Sequence, residues 1–141
     1  MHIKITSEKL DTQKLIEMVE DDGAGAIDIF LGVVRNNMKG KKVISLDYHC
    51  YEAMSQKKLE EIVNETYKKF DVKNIAVEHR IGHLQIREAS VVIVVSSAHR
   101  GASFEACRFV IEEIKKKVPI WKKEYFEDGE TWVEGYSPDV P

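Results

Sequence analysis

Three consecutive lysines, Lys115, Lys116 and Lys117, end a predicted helix just before Pro119. Lysines at the end of a helix often have no other role than to face solvent, where their charge complements the helix dipole. At about 100° per residue, Lys116 points away from the apolar stripe of this helix, whereas the other two flank the stripe on opposite sides. Lys115 shares its flank with Arg108, so it is the best placed of the three for a cleft edge, where desolvation lowers a lysine pKa.

Two further lysines, Lys122 and Lys123, follow Pro119 on a predicted strand. A solvated helix end does not explain this second pair well. Side chains alternate between the two faces of a strand, so only one of the pair can face the same cleft as Lys115.

The segment from Ser96 to Ser103 joins a predicted buried strand to the last helix, and it contains His99 and Arg100. Free backbone N–H groups at a helix start attract anions, and a histidine and an arginine strengthen that attraction. The small neighbours would let a ligand approach the backbone closely. The alternative is an ordinary loop, with Ser103 capping the helix and Arg100 in solvent.

A third candidate is Arg35, which ends a predicted strand and is followed by two asparagines. A guanidinium group binds phosphate or carboxylate through two parallel hydrogen bonds. An arginine at a loop mouth is more often a surface residue. Each of these segments is weak evidence on its own.

Other reactive residues do not form a site. His79 and His83 are four residues apart, but the glycine between them predicts a strand and turn rather than the helix of a zinc pair. His49 and Cys50 point to opposite faces of a strand, so they cannot act as a nucleophile and base. Cys107 lies on an apolar helix stripe and is most simply a buried residue.

Alternating strand and helix patterns position these candidates. Their order is strand–helix–strand–strand–helix–strand–strand–helix–hairpin, which is typical of an α+β fold with helices on one side of a mainly antiparallel sheet. Residues 36–40 are predicted to be a loop rather than a tight hairpin, whereas Asp128-Gly129 predicts a hairpin. The last helix is predicted to bury Phe104. Predicted strands cover 2–6, 27–33, 43–51, 75–80, 90–97, 122–126 and 131–134, and predicted helices begin near 11, 59 and 104.

Composition narrows the class of protein. The chain has 21 basic and 24 acidic residues, a net charge of −3, and 43% hydrophobic residues, so we expect one globular domain over residues 1–141. The charge balance argues against nucleic-acid binding, and no apolar run is long enough to cross a membrane. Two cysteines exclude a disulfide scaffold. We expect a cytoplasmic protein.

Four segments of the sequence share a pattern with one known family. They are 30–35 (FLGVVR), 96–100 (SSAHR), 119–124 (PIWKKE) and 132–134 (WVE). Together they resemble the large, catalytic subunit of molybdopterin synthase. Residues 51–54, before the middle helix, are also similar to that family. The resemblance runs from about Ile3 to Glu134, and it is most specific where the second and third segments occur together.

The resemblance implies an α/β hammerhead fold, with helices packed on a mainly antiparallel sheet and a small additional β subdomain. It implies a homodimer within a heterotetramer, whose other subunit is a small ubiquitin-like sulfur carrier with a thiocarboxylated Gly-Gly tail. The implied enzyme is a sulfurtransferase that converts cyclic pyranopterin monophosphate (precursor Z) to the molybdopterin dithiolene. The resemblance implies no metal and no cofactor of this subunit's own.

The resemblance also implies roles for individual residues. Lys115 and Lys122 fall on positions that are catalytic in the family. Two residues depart from the family pattern. Relatives often have an acidic residue where this chain has His49, and some have arginine where it has Tyr136. A phosphate- or nucleotide-binding module without catalysis, or a scaffold that docks a ubiquitin-like protein, is the alternative function. The implied substrate-binding residues are Arg35, His99, Arg100, Val33, Val34, Lys123 and Glu124.

Overall fold

The computed structural model describes residues 1–135, which form two β-sheets and three helices. Tyr136 therefore lies outside the described residues. Among these residues, no helix has both the length and the apolar character needed to cross a membrane. In chain order the elements are β1 (His2–Thr6), α1 (Thr12–Val19), β2 (Ala26–Val33), β3 (Asn37–Met38), β4 (Lys41–Cys50), α2 (Glu52–Lys69), β5 (Asn74–Arg80), β6 (Gly82–Gln85), β7 (Ala89–Ser97), α3 (Arg100–Lys117), β8 (Ile120–Phe126) and β9 (Thr131–Gly135).

The first sheet has the strand order β1-β5-β7-β2 and carries the main core. Only the β1–β5 pair in it is parallel. Strand β7 is buried on both faces, as its composition predicted. Helices α2 and α3 cover one face and α1 covers the other, so the expectation of helices on one side was wrong. The reason is that β5 and β7 are apolar at successive positions, which leaves both faces in need of cover.

The second sheet is the small additional β subdomain that the resemblance implied. Its long strand β4 pairs with β8 along one edge and with the short β6 at part of the other, and the predicted hairpin joins β8 to β9. Helix α3 leads into β8 through Pro119, so the end of α3 and the start of β8 lie where the two sheets meet.

Two local predictions were wrong, and one strand was missed. Residues 36–40 form a tight hairpin, because Lys39 and Gly40 both have positive φ, as a type I′ turn requires. Strand β6 was not predicted, since its four residues are too few to show a periodicity. Phe104 is 56% exposed, because α3 buries the face that contains Ala106, Cys107 and Val110 instead.

Candidate functional site

The turn between α3 and β8 places two lysines together. Pro119 prevents α3 from continuing, and its carbonyl oxygen accepts hydrogen bonds from the Tyr51 backbone N–H and the Ser55 hydroxyl, both at 3.3 Å. These bonds tie the turn to the start of α2. Lys115, in the last turn of α3, and Lys122, on β8, therefore line the same space.

Two cavities meet at these lysines. The first, which we call the His79 cavity, has a volume of about 260 Å³ and is lined by His79, Trp121 and Glu134 among others. The second, the Arg35 cavity, has a volume of about 300 Å³ and lies against the end of β2 and the start of the following loop. Lys115, Lys122 and Tyr48 line both cavities, so these three side chains form the wall between them.

The electrostatic environment sets Lys115 apart. The Lys115 side chain is exposed to water along much of its length, but neighbouring atoms crowd its amine. This desolvation lowers the pKa of Lys115, and repulsion from Lys122 lowers it further. The charge of Glu134 acts in the opposite direction. Lys117 has a raised pKa instead, because its amine lies 2.7 Å from the Glu113 carboxylate. The structure thus brings Lys115 to the cavities and leaves Lys117 in a surface ion pair.

Lys122 is paired with a buried acid on its own strand. Its amine lies 3.2 Å from Oε1 of Glu124, two residues on and on the same face of β8. Glu124 is only 4% exposed, and its Oε2 has no hydrogen-bond partner among the described residues. Glu124 is also one of the residues that line the Arg35 cavity.

The end of β2 supplies the other wall of the Arg35 cavity. Val33, Val34 and Arg35 all line it. Val34 is also packed in a small apolar cluster, whereas Val33 and Arg35 are exposed. Arg35, Lys115 and Lys122 therefore line one cavity.

Three predicted site residues lie elsewhere within this single chain. His99 and Arg100 are exposed at the start of α3, and 15 residues at 1.5 Å each separate Arg100 from Lys115 by roughly 22 Å. Lys123 points to the other face of β8, where its amine lies 5.4 Å from the centre of the Tyr125 ring. One protomer therefore does not contain a cluster of all the predicted cations.

Sequence reasoning missed Tyr48, His79 and Glu134 as cavity residues. Tyr48 and His79 pack edge to face with ring centres 5.1 Å apart, and Glu134 lies opposite Lys122 on the neighbouring strand. A usable signal existed for His79, because it continues the Ile75–Val77 alternation that faces α2 and α3. The places of Tyr48 and Glu134 in the cavity depend instead on which strands pair with β8.

Cysteines and metal ligands contribute no further site in the part of the chain that the structure describes. No group of three histidine, cysteine or acidic side chains within residues 1–135 is placed to hold a metal ion. Cys107 is buried, and burial raises the pKa of its thiol to about 12, which leaves it unreactive.

Comparison with known proteins identifies the family of the chain. A family model described as MoaE protein matches residues 5–117. The molybdopterin synthase catalytic subunit of Homo sapiens is 47% identical over 130 residues, which are 92% of this chain and 69% of the human protein. That alignment extends past α3 and is therefore broader than the family model.

Solved structures agree with the fold. Molybdopterin synthase from Staphylococcus aureus superposes with a TM-score of 0.88 at 39% identity, covering 94% of this chain and 96% of that one. A complex of subunits 1 and 2 of molybdopterin-converting factor from Helicobacter pylori has a TM-score of 0.73 at 23% identity, covering 98% of this chain and 91% of that one, and shares the fold alone. These matches confirm the predicted fold class and the predicted relationship: the chain belongs to the MoaE family.

Proposed function

We propose that this chain is the catalytic subunit of a molybdopterin synthase. It transfers sulfur from the thiocarboxylated C-terminus of a small ubiquitin-like carrier to precursor Z and so forms the molybdopterin dithiolene. One observation carries the proposal: Lys115 and Lys122 form a wall shared by two cavities. Such a wall suits a reaction in which two separate molecules must meet at one point.

The charges match the two reactants. Precursor Z carries a cyclic phosphate and the carrier tail ends in a thiocarboxylate, so two anions approach each other. Arg35 binds the phosphate in its cavity, and the two amines offset the repulsion between the anions. Because its pKa is lowered, Lys115 can exchange a proton nearer to neutral pH than an ordinary lysine can. We assign the catalytic roles to Lys115 and Lys122.

The two cavities are assigned to the two reactants. The His79 cavity is partly apolar, with Val118, Ile120 and Trp121 in its lining. A Gly-Gly tail has no side chains and is slim enough to enter it and end at Lys115. The Arg35 cavity holds precursor Z, with Val33, Val34 and Glu124 as further contacts.

A second copy of the chain accounts for His99 and Arg100. Strand β2 is the edge of the first sheet, and it exposes Phe30, Leu31 and Val33 beside the Arg35 cavity. A protomer packed on this apolar edge covers it and brings its own His99 and Arg100 toward the phosphate. We therefore propose a homodimer within a heterotetramer, in which Lys123, on the other face of β8, has no direct substrate contact.

The proposal includes the domain organisation of the enzyme and its location in the cell. We infer that residues 1–141 act as one domain and that the enzyme is cytoplasmic. Cys50 and Cys107 are both free, as is usual where thiols are kept reduced.

The direct test is turnover. The chain is mixed with thiocarboxylated carrier and precursor Z, and molybdopterin formation is followed. Product with two sulfurs supports the proposal. Binding of both partners without product would favour the alternative of a binding module, and carrier binding alone would favour a docking scaffold.

A further inference from the structure

His79 lies inside the His79 cavity but has no part in the mechanism above. On β5 it follows Ile75 and Val77 on the face covered by α2 and α3, and it pairs across the sheet with Val91. It is only 5% exposed. A polar ring at this depth needs hydrogen-bond partners, because an unpaired buried polar group is costly.

One ring nitrogen of His79 has a partner and the other does not. Nδ1 lies 2.9 Å from the carbonyl oxygen of Arg80, so Nδ1 carries the proton and donates. The edge-to-face contact with Tyr48 holds the plane of the ring. In this tautomer Nε2 is an acceptor, and no described residue donates a hydrogen bond to it.

The groups around the ring favour a neutral imidazole. Lys115 of α3, Lys122 of β8 and Glu134 of β9 line the same cavity, with the Tyr48 ring of β4 against the imidazole. On β5 itself, Glu78 and Arg80 alternate to the opposite face. Burial, and then the charge of Lys115, lowers the pKa of His79 to about 4, although the Arg80 carbonyl opposes this. His79 is therefore neutral at physiological pH, with its lone pair available to a cation.

We propose that His79 is a positioning residue for Lys115: the flexible Lys115 side chain, which lines the same cavity, turns its ammonium group to the unoccupied Nε2 of His79, and this hydrogen bond holds the group at the wall between the two cavities. The hydrogen bond stabilises the charged form of the lysine and opposes the effects of desolvation and Lys122. The inference rests on the proposed function for its catalytic consequence, but the contact itself does not depend on it.

Two amide variants of different reach test the contact. In His79→Asn, the amide reaches the position of Nδ1 and keeps the bond to the Arg80 carbonyl, but it offers no acceptor at the position of Nε2. In His79→Gln, the amide extends to the position of Nε2. Thermal unfolding of both variants shows that each is folded before the measurements are compared.

The first measurement needs no turnover. The pKa of Lys115 is obtained by NMR titration of labelled lysine side chains in the free chain, with the signal assigned through Lys115→Arg. His79→Asn is expected to lower the pKa of Lys115 by about one pH unit, the effect of losing a hydrogen bond to a charged group, and His79→Gln to restore it. An unchanged pKa in both variants, or an equal fall in both, would overturn the contact.

The second measurement is molybdopterin formation. His79→Asn is expected to lower kcat about tenfold at unchanged KM for precursor Z, with the basic limb of the pH profile moved to lower pH, and His79→Gln to recover most of the rate. A confirmed contact with unchanged kcat in His79→Asn would overturn the positioning role. A wild-type chain that makes no molybdopterin would instead overturn the proposed function, while the titration would still decide the contact.

Discussion

At the scale of single residues, three adjacent lysines on α3 have three different environments. Lys115 lines both cavities, Lys116 is exposed, and Lys117 is paired with Glu113. The three side chains are chemically identical, so their environments differ because they point in different directions around α3. This makes Lys116 a natural control for Lys115.

Lys115→Ala is expected to leave the fold intact and to remove nearly all molybdopterin formation, because it deletes a cation from the wall where the two anions meet. Lys116→Ala is expected to change the free energy of unfolding by no more than about 0.5 kcal/mol and to keep full activity. Rates and chemical denaturation are measured for both variants. Equal activities would contradict the assignment of Lys115.

Arg35→Lys tests the phosphate side of the site. A lysine keeps the charge but loses the two parallel hydrogen bonds of the guanidinium group, so the KM for precursor Z should rise by about tenfold or more. Steady-state kinetics at saturating carrier measure it. A change confined to the affinity for the carrier would place Arg35 at the protein interface instead.

At the scale of elements, a close approach between two loops positions the start of α3. The Gly25 backbone N–H donates a 3.0 Å hydrogen bond to the Ser97 carbonyl, just before β2 begins. A Cβ atom at Gly25 would lie 2.5 Å from the Ala98 carbonyl oxygen, well inside van der Waals contact. The loop before β2 is thus packed against the segment that carries His99.

Gly25→Ala is therefore expected to destabilise the fold by about 1–3 kcal/mol, because backbone rather than a flexible side chain must move. Gly101→Ala is the matched control, since a Cβ atom there meets nothing within 4 Å. Urea denaturation of both variants measures the difference. If the two variants are equally stable, the loops are not packed as described.

At the scale of the whole molecule, the proposed site needs two protomers, because Arg100 and Lys115 lie at opposite ends of α3 within one chain. Lys115→Ala and Arg100→Ala homodimers should each be nearly inactive. After subunit exchange, half of the dimers are mixed, and each mixed dimer has one intact site. We expect about a quarter of wild-type activity to return, since the two defects are then on separate chains. Recovery of none would mean that Arg100 does not act across the dimer.

The path of the carrier tail through the His79 cavity can be tested by crosslinking. With a carboxylate-terminated carrier, a zero-length carbodiimide crosslink should join the tail mainly to Lys115 or Lys122, because these amines lie where the His79 cavity ends. Peptide mass spectrometry locates the bond. Crosslinks found only at distant lysines such as Lys57 or Lys68 would show that the tail lies elsewhere.

Most of the elements and the family were predictable from the sequence. Helical and strand periodicities are local, so α2, α3 and β7 were predictable from residues near one another. The family segments contain Arg35 and Lys122, and the resemblance also implied a role for Lys115. The turn of about 100° between successive helical residues was enough to separate Lys115 from Lys116, because that angle is the same in every α-helix.

Which residues share a cavity depends on how the strands pair and how the helices pack. Tyr48 and Glu134 reach the lysines because β4 and β9 pair with opposite edges of β8, and His79 reaches them because β5 packs under α3. The same structure separated His99 and Arg100 from Lys115 by the length of α3. Strand pairing and helix packing join residues far apart in the chain, and no local periodicity contains that information.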